Sequence, residues 1–351
     1  MVLSDRIKEK ISIEVIKTLV ARFKNFPEDS SNNRNAPFHE AFLNAFADKL
    51  EGKVLDIPFF ISLSSWLHGL NTTLGQAFFE NIAHHLSNGE KREYTSRRLG
   101  NLQISQTQRN NISQIIADLS TSTKLPNLEN ENDTLFADDN SHSIHAMDFS
   151  ADVFYEEEDK VIAIELKSVK PNSGEMKGEK QKILEGKAAL YRKFPGKEIL
   201  FYIGFPFDPT VNIENELVTS YNKERLLSSI INMKKYFASK ETLVACELWD
   251  FLSGHENTMV QILEIINNIA TPEFLTKYNF LNITENRFEP SYVQILEKWL
   301  LFSEKELILN DASIINSISD NRTFTRVYNK KVFDNNGSYN YDRYSQLKEL
   351  I

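Results

Sequence analysis

Twelve residues separate Asp152 from Glu165, and between them the chain reads as a strand, a charged turn and a second strand. Val153-Phe154-Tyr155 opens the first strand, Glu156-Glu157-Glu158-Asp159-Lys160 forms the turn, and Val161-Ile162-Ala163-Ile164-Glu165-Leu166-Lys167 is the second strand. A hairpin of this length folds Glu165 back toward Asp152. Side chains alternate along a strand, so Glu165 and Lys167 share one face while Ile162, Ile164 and Leu166 offer an apolar set to the other. Two carboxylates and an amine are therefore expected together on a rigid platform, and no other stretch constrains the fold as tightly.

These residue types suit phosphodiester chemistry. Hydrolysis needs charge neutralised on the phosphate, a water activated for in-line attack and help for the leaving oxygen, all within reach of a magnesium-class ion. Such an ion prefers oxygen ligands and keeps water and phosphate oxygens in its octahedron, so two carboxylates, Asp152 and Glu165, suffice to hold it. Lys167 would orient the water or stabilise charge developing on phosphorus. A Glu-x-Lys triplet alone is common, and a surface hairpin with a salt bridge is the plain alternative. Here an Asp heading one strand, an apolar partner strand ending in Glu-x-Lys and a basic helix directly afterwards all point the same way.

Asp152 with Glu165-Leu166-Lys167 resembles the PD-(D/E)xK signature of many type II restriction endonucleases, with Ala151 where the signature's variable Pro would stand. The stretch from Met147 to about Leu190 is similar to the TdeIII type of these enzymes. The resemblance implies a restriction-endonuclease-like α/β core, a mixed central sheet flanked by helices, with helical amino- and carboxy-terminal additions. It implies a Mg2+-dependent site-specific deoxyribonuclease that cuts double-stranded DNA as a homodimer, at a short interrupted palindrome of the GGNCC type, beside a cognate DNA methyltransferase. It also matches Leu74–Leu86 to a helix that carries a further acidic site residue, here Glu80. Leu74, Phe78, Ile82 and Leu86 recur every fourth residue as a core stripe that leaves Glu80 off it. Asp148 is the alternative to Asp152 should the strand begin earlier. The Gln and Tyr one helical turn apart that related exonucleases place after this strand are not matched, since Glu185 stands four residues after Gln181.

The 351 residues are 41% hydrophobic and 11% aromatic, enough for one large or two modest domains. Twelve Gly and ten Pro leave no low-complexity linker, and no Gly-rich phosphate loop occurs. The single cysteine, Cys246, is expected in the core; one thiol excludes an internal disulfide, a four-cysteine iron–sulfur cluster and a Cys-rich zinc site. A reducing cytoplasm fits. A charged amphipathic start and the lack of an 18-residue apolar run speak for no leader and no membrane partner.

A net charge of −9 opposes a nucleic-acid partner until its distribution is considered. From Leu166 to Lys197 nine basic residues face three acidic ones, a balance of 9 − 3 = +6 beginning at the proposed site. Lys170, Lys177 and Lys180 in this run are candidate DNA contacts, as are Arg97 and Arg98 in the basic segment Lys91–Arg98, since Arg suits guanine and Lys meets phosphate. Solvated helix faces and surface salt bridges are the alternatives. His142 and His145, in a polar loop without a matching ligand pair, are expected to be solvated.

Three regions are expected: a helical region at 1–70, the nuclease core at 71–270 and a helical region at 271–351 serving dimerisation or DNA contact. Helices are expected at 3–24, 37–50 with Phe38, Phe42, Phe46 and Leu50 on one stripe, 56–69 buried, 106–120, 179–194, 223–237, 258–270, 291–302 and 311–319. Ser30–Asn35, the acidic stretch 121–143 and the turn-rich Val169–Gly178 are expected as loops. Strands are expected at 199–205 and 243–249, the order an α/β sheet with helical cover requires. Other functions compatible with these residues are a structure-selective repair nuclease, a decayed DNA-binding relative and, least naturally, a sugar-cleaving carboxylate pair.

Overall fold

The computed structural model of the chain describes residues 2–27, 36–54, 56–137, 141–167, 175–318 and 321–351. The expected loop at Ser30–Asn35, Asp138 and Asp139 of the acidic stretch, and the turn residues 169–174, Lys170 among them, lie outside the described residues. The chain divides into two compact units, Met1–Leu3 with Phe79–Gln261 and Ser4–Phe78 with Ile262–Ile351.

The first unit is built on a five-stranded mixed sheet in the order β1-β4-β5-β6-β7. Its strands are β1 (Glu90–Tyr94), β4 (Phe149–Glu156), β5 (Lys160–Leu166), β6 (Glu198–Phe205) and β7 (Thr242–Val244). A separate antiparallel ladder joins β2 (Gln103–Ser105) to β3 (Ser143–His145). β1, β4 and β5 pair antiparallel, whereas β6 and β7 run parallel to β5. The hairpin expected between Asp152 and Glu165 is present, with Val153 opposite Ile164 and Glu156 opposite Val161.

Helices cover both faces. A Cβ on Gly186, in the helix Glu175–Lys193, would come within 2.8 Å of Phe201 and 3.0 Å of Phe149, so glycine is what lets this helix sit directly on the sheet. On the other face Leu248, from the helix Cys246–Ser253, lies against Gly204 beside Ile164 and Leu166. Val161 and Ala163 are as buried as Ile162 and Ile164, so β5 is covered on both sides, as the inner strand of a doubly covered sheet should be.

Several elements differ from the sequence reading. Lys91–Arg98, expected as a basic polar segment, begins with the edge strand β1: Glu90, Lys91, Arg92 and Glu93 are all charged and only Tyr94 is buried, so no apolar alternation marks it. The run 243–249 is not one strand. β7 stops at Val244, Ala245 takes φ 49°, and the next residues start a helix that buries Leu248, Trp249 and Leu252, leaving Cys246 only half-buried. Within 121–143 stands the helix Leu128–Leu135, capped by Asn127, whose few inward residues include Glu131 and Leu135.

That glutamate belongs to a buried ionic cluster. Lys180 Nζ lies between Glu131 Oε2 and Glu241 Oε1, at 2.5 and 2.6 Å, with Lys180 fully enclosed. Lys187 is beside it, hydrogen bonded to Asn132 and 5.9 Å from the Phe136 ring. Desolvation pushes the Lys187 ammonium down from 10.5 to about 8, against the pull of Glu241.

The second unit is helical among its described residues apart from one bridge, Phe333 to Tyr339. Phe23, Tyr278 and Trp299 stack about Phe274, with ring centroids 5.7, 5.8 and 5.5 Å from it. Arg343 and Glu304 form a fully buried pair at 2.6 Å. The stripe Phe38, Phe42 and Phe46 is helical but 78%, 77% and 56% exposed, not core, and Ile57–Thr73 is half-buried at best.

Two outcomes follow from the ionic cluster. Lys180→Met leaves two buried carboxylates facing each other, and urea unfolding should register a loss of about 3–5 kcal/mol. For Lys187 the unfolded chain holds the extra proton between pH 8 and 10.5, so stability should rise with pH across that window and stay lower beneath it. Urea unfolding at about pH 7 and about pH 9.5 should show this rise in the wild type, up to roughly 2 kcal/mol, and lose it in Lys187→Met.

Candidate active site

The pairing of β4 with β5 ends at Val153 and Ile164. One residue further, where the next pair would be Asp152 and Glu165, the Asp152 carboxylate takes over the role of a backbone carbonyl. Leu166 N donates to Asp152 Oδ2 at 2.9 Å. β5 nevertheless keeps its ladder with β6, since Lys167 N donates to Gly204 O at 2.8 Å. Asp152 and Glu165 thus stand at the point where β4 and β5 part, β4 staying paired with β1 and β5 with β6. Asp152 is the fourth residue of β4, not its first, and is nearly buried. Asp148 precedes the strand, is exposed and accepts a hydrogen bond from Asn101, so the fold brings Asp152 and not Asp148 to Glu165.

The helix Phe79–Ser87 buries Ile82, Ala83 and Leu86 and turns Glu80 and His84, one turn apart, toward β4. His84 Nε2–H donates to the Asp152 carbonyl at 2.6 Å, fixing the backbone that carries the carboxylate. Lys91 Nζ bridges Glu80 and Asp152, 3.1 Å from Glu80 Oε2 and 3.0 Å from Asp152 Oδ1. Burial first, then the neighbouring Asp152, raises the Glu80 carboxyl above its usual range. Burial would lower Lys91, but Asp152 and Glu80 outweigh it and hold the ammonium charged.

On the other side of Glu165, Lys167 Nζ lies 3.5 Å from Glu165 Oε1, 3.0 Å from Glu179 Oε1 and 3.3 Å from Glu175 Oε1. Desolvation opposes its charge; Glu165, Glu179 and Glu175 together prevail and push it up. Lys182 Nζ is 2.9 Å from Glu165 Oε2, an ion pair without hydrogen-bond alignment. The Glu165 carboxyl is raised by burial and by the charge of Asp152, against Lys182 and Lys167. Three carboxylates that repel one another are thereby held together by three lysines.

Asp152, Glu165, Lys167 and Glu80 are the sequence candidates that meet here. Lys91, Lys182, His84 and Glu179 were missed as site residues. Lys91 and Lys182 were visible only as members of basic runs, and the Glu80-x-x-x-His84 spacing was the one available signal for His84. Of the expected DNA contacts, Arg97 and Arg98 are exposed and line an open groove of about 910 Å³ with Lys91, Arg92 and Lys193. Lys177 is exposed as well, and Lys170 lies outside the described residues. Lys180 must be withdrawn: it is fully buried between Glu131 and Glu241 and cannot meet DNA. The basic run is therefore not one surface, since Lys167 and Lys182 turn into the site while Lys180 and Lys187 enter the core.

The donor set suits a hard divalent ion. Among the described residues no group of three or more His, Cys, Asp or Glu side chains is arranged to cage a metal. Asp152 and Glu165 offer carboxylate oxygens, the donors that hard divalent ions take, and could hold such an ion with water filling the remaining positions. Glu179 Oε2, buried without a hydrogen-bond partner among the described residues, is an acceptor of the kind a hydrated ion uses.

Among the described residues no helix is long and apolar enough to cross a membrane. Residues 3–270 match the family described as type II restriction endonuclease, HinfI. The chain is also similar to the type II restriction enzyme MjaII of Methanocaldococcus jannaschii, at 46% identity over 371 aligned positions covering all of this chain and 98% of that protein. The sheet with its flanking helices is the expected restriction-endonuclease-like architecture. The chain belongs to the HinfI family of type II restriction endonucleases and is a site-specific deoxyribonuclease.

Proposed function

We propose that the Asp152 and Glu165 cluster is the cleavage site and that it works with Mg2+ in the manner of the PD-(D/E)xK nucleases. The observation that carries this is the meeting of Asp152, Glu165 and Lys167 where β4 and β5 part, with the Asp152 carboxylate fixed by Leu166 N and its backbone by His84. When bound, the metal supplies charge neutralisation on the phosphate and an acidified water. Asp152 and Glu165 would hold it. Lys167, kept charged by its acidic neighbours, donates hydrogen bonds to the attacking water or to the phosphate oxygen that gains charge. Glu80 is a supporting carboxylate whose helix also carries the hydrogen bond to β4. Arg97, Arg98 and Lys177 are exposed and suited to contact the DNA backbone or bases.

The remaining expectations rest on the resemblance to TdeIII-type enzymes: a GGNCC-type site, a homodimer presenting one cleavage site to each strand, and a cognate methyltransferase in a cytoplasmic restriction-modification system. The helical regions of 1–70 and 271–351 are the stretches offered for dimerisation or DNA contact around the 71–270 core.

Digestion of unmethylated phage DNA with Mg2+ should give discrete fragments, none in EDTA and none from Asp152→Ala. Lys167→Ala should lose about 10²–10³-fold in cleavage rate with DNA binding retained. Full cleavage by Asp152→Ala would move the site elsewhere, and full cleavage by Glu80→Ala would remove that residue from it. Sequencing the fragment ends should give GGNCC, and any other motif would discard that expectation.

A further inference from the structure

The edge strand β1 loses register with β4 at the site. Glu90 pairs with Phe154 and Arg92 with Ala151, so two residues of β4, Asp152 and Val153, stand opposite the single residue Lys91. Bulges of this kind re-aim side chains, and this one turns Lys91 and Asp152 toward each other. The ammonium bonds Asp152 Oδ1 and both oxygens of Glu80, at 3.0, 3.2 and 3.1 Å.

The partners are unequally enclosed. The Asp152 and Glu80 side chains are each 12% exposed and held by the core, whereas that of Lys91 is 40% exposed. Lys91 can leave without opening the core. Lys167 and Lys182 are more enclosed, at 16% and 23%. An ammonium carries only donors and repels a divalent cation a few ångströms away, so the two cannot share the same carboxylate oxygens.

We infer that Lys91 is a tethered counter-ion: it occupies the carboxylates of the metal-free site and must be displaced for a divalent ion to bind. Once displaced, its ammonium turns into the open groove that Lys91 already lines with Arg92, Arg97, Arg98 and Lys193, beside Glu90 and Glu93, where a phosphodiester would pair with it. The inference rests on the metal reading of Asp152 proposed above. It differs from a structural role for Lys91 in sign, because removing a structural contact weakens metal binding and removing a competitor strengthens it.

The test is Mn2+ binding to the full chain without DNA, followed by electron paramagnetic resonance, for wild type, Lys91→Met, Lys91→Gln, Lys91→Arg and Asp152→Asn. Lys91→Met and Lys91→Gln should bind Mn2+ roughly tenfold more tightly, since two partly exposed ion pairs no longer compete, while Lys91→Arg should stay near wild type. The thermal midpoint in EDTA gives a second readout: the neutral variants should show a larger Mn2+-induced rise than wild type. Using both neutral variants covers the case in which one misfolds. Equal or weaker affinity in them, with binding lost in Asp152→Asn, overturns the role of Lys91 and leaves the metal reading intact. Affinity unchanged in Asp152→Asn overturns both.

Discussion

The hydrogen bond from the Leu166 amide to the Asp152 carboxylate is the point on which the site turns. A side chain replaces a backbone carbonyl at the last rung of an antiparallel ladder, which binds Asp152 to β5 where β4 parts from that strand and stays paired with β1. The parallel pairing of β5 with β6 is undisturbed, so Glu165 and Lys167 are carried by a strand fixed on its other edge. Both carboxylates are thereby placed by backbone geometry, and a charge held by the main chain loses little entropy when it binds a ligand.

Collecting acidic groups in a half-dry cleft is unfavourable, since each raises the proton affinity of the others. The fold offsets this with lysines drawn from three different elements: Lys91 from the edge strand, Lys167 from the end of β5 and Lys182 from the following helix. The same device recurs away from the site, where Lys180 sits between Glu131 and Glu241. Much of the positive charge of 166–197 is spent inward. A protein of net charge −9 that binds DNA must then rely on a local surface, such as the groove beside β1, and not on its overall balance.

The hairpin was legible because its signals are local: apolar alternation, a charged turn of five residues and a Glu-x-Lys ending. The helix of Glu80 was legible from its four-residue stripe. β1 was not, because four of its five residues are charged and leave no apolar alternation to detect. The Leu128–Leu135 helix hid in an acidic stretch for a related reason, since it meets the core through few residues, one of them a glutamate. The run through Cys246 was misjudged because strand and helix can share a continuous apolar stretch, and the switch lies in a single positive φ at Ala245.

The sequence by itself determined that a strand pair would carry Asp152, Glu165 and Lys167 to one place, because strand periodicity and turn chemistry act over a dozen residues. It determined too that helices would cover the sheet. Only the tertiary structure decided which lysines serve the site and which serve the core. Lys180 and Lys182 are two residues apart on one helix, yet their directions differ by about 200° around its axis, so one meets Glu131 and the other Glu165. Lys91, far earlier in the chain, reaches Asp152 through an irregular strand pairing. Charge partners separated by tens of residues leave no local pattern, and their choice belongs to the packing.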